Sequence, residues 1–484
     1  MAGPNILLVM TDSSRTDTLG CYGGPVAVSP NLDRLAAQGV RFTQAHSTAP
    51  VCMPARCSLL TGTHTPTHGC VENGIDRRPD LVTLPELLNA AGYRTIMVGK
   101  THFGGPACFD VCRPLHGEKG ADVQDEYAGH LAAHGYARAS RHPNPVPERL
   151  FCDAFLVDQT IEEIERHQNS GAAQPFFAMC SLPSPHSPLD PPGAWATRFD
   201  DVPLPPLNYR PGEEDTWPEH LRALVGPRGA ESAADVETAD GALDQAVVDR
   251  KRRLYLGLAA YTDVQIGRLL DYLDTAGLRR DTLVVFTSDH GQQYYDHGFN
   301  DKHTFYDESW RIPLLLSWPG VLPEGETTGF AMTHDLTATF AAVAGLTLAD
   351  APTLQGVDLT SGWRAAEPVV RSCATSVLHR SLALATSRWK LEYYPESGRG
   401  RLFDRVADPV EQQDLWESPP HRHVRVALLE ALLTWRADLT DVQYLRDHTS
   451  GGGPVARRVA AQTATRLGRD AETRLFQAVA ESAL

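Results

Sequence analysis

The chain offers little to a nucleic acid or an anionic membrane. Its 44 Lys and Arg are outnumbered by 60 Asp and Glu, for a formal net charge of −16. Such surfaces are therefore excluded as the main partner, although a local basic pocket can still take a small anion. Paired cysteine spacing is also missing. The nine cysteines are scattered and odd in number, which argues against a zinc knuckle or a disulfide framework and for a reduced, cytoplasmic protein. The N-terminus reads as a poor targeting signal. MAGPNILLVMTD has no basic leader, and its short apolar run stops at Asp12, so it reads neither as a signal peptide nor as a membrane span. No internal repeat is present. What remains is ordinary globular composition, 42% hydrophobic and 21% charged. The 484 residues suffice for two domains, or for one large domain with a smaller partner.

NILLVMT (5–11) is apolar without alternation, as expected of a strand covered on both faces in a parallel sheet. NLDRLAAQG (31–39) reads as a short helix stopped by glycine, and TLPELLNAAGYRTIMVGK (83–100) as a capped helix, a turn and a strand. PFFAMCSL (175–182), TLVVFTS (282–288) and RIPLLLSWPG (311–320) are further strands, and 248–276 forms a long amphipathic helix. Strands alternating with helices over residues 1–365 predict an α/β domain with a large, mostly parallel sheet sandwiched by helices. Residues 203–249, rich in proline, glycine and acid, read as an insertion near the site. Residues 366–448 change pattern, to a hairpin followed by a helix at 423–439, which predicts a small C-terminal α+β domain. Residues 449–484 read as a tail helix that docks on the body or on a partner subunit, and a homo-oligomer is left open.

In parallel sheets a ligand site lies beyond the carboxyl ends of the strands. Asp12, Lys100 with His102, His186, and Asp289 with His290 each follow an apolar strand closely. Taken singly, each has a plain structural reading. Asp12 caps a turn, Lys100 and His102 are solvated charges, and His186 sits in a rigid proline loop. Their convergence is the functional signal. Cys52 stands just before a helix with Arg56 one turn on, in VCMPARCSLLTG (51–62). Alone it is a buried hydrophobe as readily as a reactive thiol, though a helix N-terminus and an arginine both favour the thiolate. Cys57 reads as packing.

Cys52-x-Pro54-x-Arg56 followed by Leu60-Thr61-Gly62 resembles the signature of the type I sulfatases, within the alkaline phosphatase superfamily. The resemblance runs from Asn5 to about Leu415 and includes LFDRVADPVEQQDL near the C-terminal end. It implies an alkaline phosphatase-like fold and hydrolysis of a sulfate monoester. It also implies that Cys52 is oxidised to formylglycine by a formylglycine-generating enzyme, that the aldehyde hydrate attacks sulfur, and that Arg56 holds the hydrate. Asp12, Cys52, Asp289 and His290 are implied to bind one divalent metal ion. Ca2+ ranks first by family habit. Two departures keep Mn2+ and Mg2+ open: Ser13 stands where sulfatases usually carry a second acid, and Asp289 is followed by histidine instead of asparagine. Asp-His at this point is similar to the choline-sulfatase and phosphonate monoester hydrolase branch.

The same resemblance gives Lys100 to a sulfate oxygen and His102 to the hydrate. It gives His186 to the sulfate and its bridging oxygen, and Lys302 to the leaving group, although Lys302 alone reads as an exposed loop residue. Asn73 fits the asparagine that choline-sulfatase-like enzymes place beside the substrate, and equally an ordinary turn asparagine. The expected partner is a small sulfated molecule. The competing expectation is a phosphonate monoester or phosphodiester hydrolase of the same superfamily. Asp-His and Ser13 favour it, and Lys100 with His102 opposes it.

Overall fold

The computed structural model describes residues 3–24, 28–116, 124–141, 143–218, 222, 244–347, 350, 354–361, 371–447 and 474–475. The expected boundary at 365/366, about half of the acidic insertion and all of the tail helix but 474–475 lie outside these residues.

Eight strands form one sheet: β1 (Asn5–Asp12), β2 (Val40–His46), β3 (Arg94–Lys100), β4 (Val111–Leu115), β5 (Phe176–Pro185), β6 (Thr282–Ser288), β7 (Leu314–Ser317) and β8 (Gly325–Met332). Their order is β4-β3-β5-β1-β6-β7-β2-β8, and all pairings are parallel except those of β7. The unbroken apolar character of β1 has a direct cause. Leu7 and Val9 face a core built with the helices Cys152–Asn169 and Gln245–Thr275. Ile6, Leu8 and Met10 face a second core with the helices Cys52–Thr61, Leu84–Ala90 and Asp335–Val343. A strand buried on both faces has no side that needs polar residues.

Register brings the polar strand ends together. Thr11 of β1 stands opposite Ser288 of β6, so Asp12 and Asp289 are neighbours. The β1–β5 register shifts after Met10, setting Asp12 opposite Pro185, one residue before His186. Gly99 of β3 pairs with Ser181 of β5, which carries Lys100 to the same end.

A second, antiparallel sheet contains β9 (Cys373–Leu378), β10 (Ser381–Thr386), β11 (Trp389–Tyr394) and β12 (Arg399–Asp404) in the order β12-β11-β10-β9. The helix Arg422–Asp447 packs Leu428, Leu432, Trp435 and Leu439 against it. This helix outruns the expected 423–439 at its C-terminal end. The long helix likewise starts at Gln245 instead of 248, because the Asp244 carboxylate accepts from the Ala246 and Val247 amides and caps the extra turn. Residues 245–249, expected in the insertion, are that first turn. Among the described residues no helix is long and apolar enough to cross a membrane.

Candidate active site

Cys52 is the first residue of its helix, and Val51 before it offers no side-chain cap. The exposed amide of Met53 is taken by Asn73 Oδ1 at 3.0 Å. Asn73 thus caps the start of this helix, and it is solvent-exposed. Pro54 falls in the first turn, where an N–H would have no intrahelical acceptor, so its missing N–H costs the helix no hydrogen bond. The helix therefore points its positive end at the strand ends with Cys52 at its tip.

Arg56, one turn on and fully buried, ties the helix to the sheet. Its Nε donates to Asp289 Oδ2 (2.8 Å), one terminal nitrogen to Asp12 Oδ2 (3.1 Å), and the other to Ser181 Oγ (2.8 Å) and the Lys100 carbonyl (3.1 Å). Lys100 Nζ meets the same Asp12 oxygen at 2.7 Å. Cys52 Sγ lies 3.1 Å from His290 Nε2 and 3.9 Å from Asp12 Oδ1. His290 Nδ1 faces the Gly291 carbonyl at 2.7 Å. That contact fixes the proton on Nδ1 and leaves the Nε2 lone pair toward the cluster, which is how a metal-ligating imidazole is oriented. One donor atom from each of Asp12, Cys52, Asp289 and His290 lies within 4.8 Å of the others, all buried. Two carboxylates, an imidazole and residue 52 form a donor set that fits a divalent cation.

The charges in this cluster are strongly coupled. Burial works against ionised Asp12, but Lys100, His186 and Arg56 hold it well below the usual carboxylate range. Burial and the adjacent Asp12 lift Asp289 instead. Burial and Asp12 both oppose a Cys52 thiolate, yet Lys302, Lys100 and His290 outweigh them, and the thiol falls well below the ordinary cysteine value. Burial also disfavours the His290 imidazolium, and Asp289 with Cys52 overcomes it, raising the group to about 9. These shifts describe the cluster without a cation; a bound cation would draw the same lone pairs and oppose protonation.

His186 and Lys302 form a second unit beside the first. Lys302 Nζ is 2.9 Å from His186 Nε2, whose Nδ1 lies 2.7 Å from the Ser187 carbonyl. Burial opposes the charge on Lys302, but Cys52 and Asp301 keep it raised. His102 stands apart: among the described residues it makes no hydrogen bond with the cluster, its φ is 45°, and its Nδ1 is buried without a partner. Cys57 is buried against Cys70.

Sequence reasoning passed over two serines. Ser181 holds Arg56 and donates to the Lys100 carbonyl at 2.7 Å, and Ser47 Oγ donates to the Asp289 carbonyl at 2.6 Å. Ser181 had a legible signal, as the first polar residue after FFAMC. Ser47 had none.

The sulfatase family profile matches residues 4–346, and the profile described as N-sulphoglucosamine sulphohydrolase, C-terminal, matches residues 295–438. The chain is 28% identical over 472 residues to a choline-sulfatase of Rhizobium meliloti, covering 91% of this chain and 87% of that one. It is 26% identical over 494 residues to an N-acetylglucosamine-6-O-sulfatase of Bacteroides thetaiotaomicron, covering 89% and 85%. Among solved structures, the phosphonate monoester hydrolase of Agrobacterium radiobacter superposes with a TM-score of 0.77 at 23% identity over 90% of this chain and 95% of that one, a likeness of fold.

Proposed function

The chain belongs to the sulfatase family and is a sulfuric ester hydrolase; from that premise we propose that it cleaves a small sulfate monoester using a formylglycine made from Cys52 and one divalent cation held by Asp12, Asp289 and His290. The observation that carries this reading is the buried four-residue cluster with Cys52 Sγ 3.1 Å from His290 Nε2. A residue at this point stands at a positive helix end, beside a cation's ligands, and faces the ammonium groups that an anionic ester needs. The cation, when bound, supplies charge that favours an ionised nucleophile and gathers sulfate oxygens. Formylglycine supplies an oxygen nucleophile and, as its hydrate, a way to release sulfate afterwards.

The other groups take roles that follow from their contacts. Arg56 fixes residue 52 against both carboxylates. Lys100, paired with Asp12, offers its remaining N–H groups to a sulfate oxygen. Lys302 stays protonated and shares its hydrogen bond with His186, so this pair delivers the proton to the departing alkoxide. Asp289, in the same cluster as residue 52, accepts the nucleophile's proton. The unpartnered Nδ1 of His102 suits a base that waits for a hydroxyl to bind. Maturation by a formylglycine-generating enzyme is part of the proposal.

Asp-His at 289–290 and Ser13 favour a second reading, hydrolysis of phosphonate monoesters or phosphodiesters. A paired assay with 4-nitrophenyl sulfate and 4-nitrophenyl phenylphosphonate decides between them. The sulfatase reading expects kcat/KM to be higher for the sulfate. A clear preference for the phosphonate would overturn it.

A further inference from the structure

A cavity lies beside the turn that follows Asp12. Tyr255 and Tyr294 line it, with Leu204 and Leu256 as apolar walls, Arg15 and Arg252 as its cations, and Asp17, paired with Arg15, as its one carboxylate among the lining residues. The two tyrosines connect it to the chemistry. Tyr255 OH donates to the carbonyl of Ser13 and accepts from the amide of Arg15, on the turn that follows Asp12. Tyr294 OH donates to the carbonyl of Pro185, which precedes His186. Their rings touch, with centroids 4.4 Å apart and planes tilted by 48°. Apolar walls and aromatic faces suit the body of a ring-bearing alcohol.

The two arginines differ. Arg15 is saturated: its five N–H groups meet both Asp17 oxygens, Asp296, and the carbonyls of Gln292 and Gln293. Arg252 makes no hydrogen bond or ion pair among the described residues, although it is partly buried. Burial pulls it below the usual guanidinium value, and the more distant carboxylates of Asp296, Asp249 and Asp17 do not restore it. A desolvated guanidinium with no partner among the described residues favours an anion that can take two of its donors at once.

We propose that Arg252 and the rings of Tyr255 and Tyr294 form the subsite for the departing alcohol, so that the natural substrate is a sulfate monoester whose ring-bearing alcohol carries a second negative group. This rests on the sulfate-monoester reading of the adjacent centre. The second group is a carboxylate or another sulfate.

Binding of the product alcohol tests the subsite without turnover. Calorimetric titration of the intact protein with 4-hydroxybenzoate, 4-hydroxybenzenesulfonate and the neutral 4-hydroxybenzyl alcohol should show at least one anion binding about tenfold tighter than the neutral probe; the tighter anion identifies the group. Arg252→Gln should erase that ratio, and Arg252→Lys should keep part of it. Equal affinity for all three probes in the wild type, or an unchanged ratio in Arg252→Gln, overturns the proposal. The premise is tested separately with the sulfate esters of the same alcohols. If fully modified enzyme hydrolyses none of them while the anion preference stands, the sulfatase reading fails and the subsite does not.

Discussion

Two regions of this molecule bury networks of charge, and they are built differently. Where the small sheet meets the body, Lys390 Nζ contacts both Asp307 and Glu411 and donates to the Phe305 carbonyl at 2.9 Å. Arg405 meets the second Asp307 oxygen at 3.2 Å, and Arg401 pairs with Glu392 at 2.6 Å. There, each charge touches an opposite charge of the protein. At the strand ends, Arg56 and Lys100 meet Asp12 Oδ2 and Arg56 meets Asp289 Oδ2, while Asp12 Oδ1 and Asp289 Oδ1, which accept from Ser13 and from the His290 amide, converge with His290 Nε2 and Cys52 Sγ. The first network pairs its charges with one another and serves folding. The second also pairs its charges, but in addition it turns two carboxylates, an imidazole and residue 52 toward one point.

The contrast breaks most sharply at Cys52. Cys52→Ala should remove turnover by at least about 10³-fold while leaving the unfolding midpoint nearly unchanged, since the side chain contributes little packing beyond a small buried group. Steady-state kinetics and thermal melting, read together, check this. The mirror image is Lys390→Met. It strands Glu411 without its cation, leaves Asp307 with Arg405 as its partner, and should cost about 3–5 kcal/mol of stability, read as a lower denaturation midpoint, with kcat of the folded fraction preserved. If Lys390→Met instead lowered kcat at unchanged stability, the division between the two networks would be wrong.

A smaller effect comes from His68, packed behind the Cys52 helix, whose Nε2 lies 2.9 Å from Ser58 Oγ and whose Nδ1 accepts from the Cys70 amide. Burial, with His64 and Arg77 adding to it, pushes its pKa down from 6.5 to about 3. The unfolded chain then binds the proton first, so stability is full above 6.5 and falls as pH drops toward 3. The slope is about 1.4 kcal/mol per pH unit for one proton. Denaturant titrations at pH 7 and 5.5 should show this loss, and His68→Gln should flatten it.

The parts of this architecture written in local pattern were legible. The two-faced burial of β1 follows from NILLVM, and the Thr83–Glu86 capping box is present where TLPE begins its helix. Asp12, Lys100 and Asp289 with His290 were also legible, because each ends or follows an apolar strand and the register of a parallel sheet aligns such ends; Cys52 was legible from its motif. What escaped was non-local. Ser47, Ser181 and the Lys390 network gain their roles only from partners far along the chain, and no spacing announces them. The start of the long helix was misjudged because Asp244 looked like one more acid in an acidic stretch, when it is the cap. Asn73 could be read as a turn or as a neighbour of the substrate; the structure gives it a contact, to Met53, that serves the helix carrying Cys52.

The central claim is that position 52 carries an aldehyde oxygen in place of sulfur. Mass spectrometry of the peptide spanning Cys52, taken from active protein purified from its native host, tests it most directly. Formylglycine in proportion to specific activity is the predicted result, and fully active protein with only an unmodified thiol would contradict it.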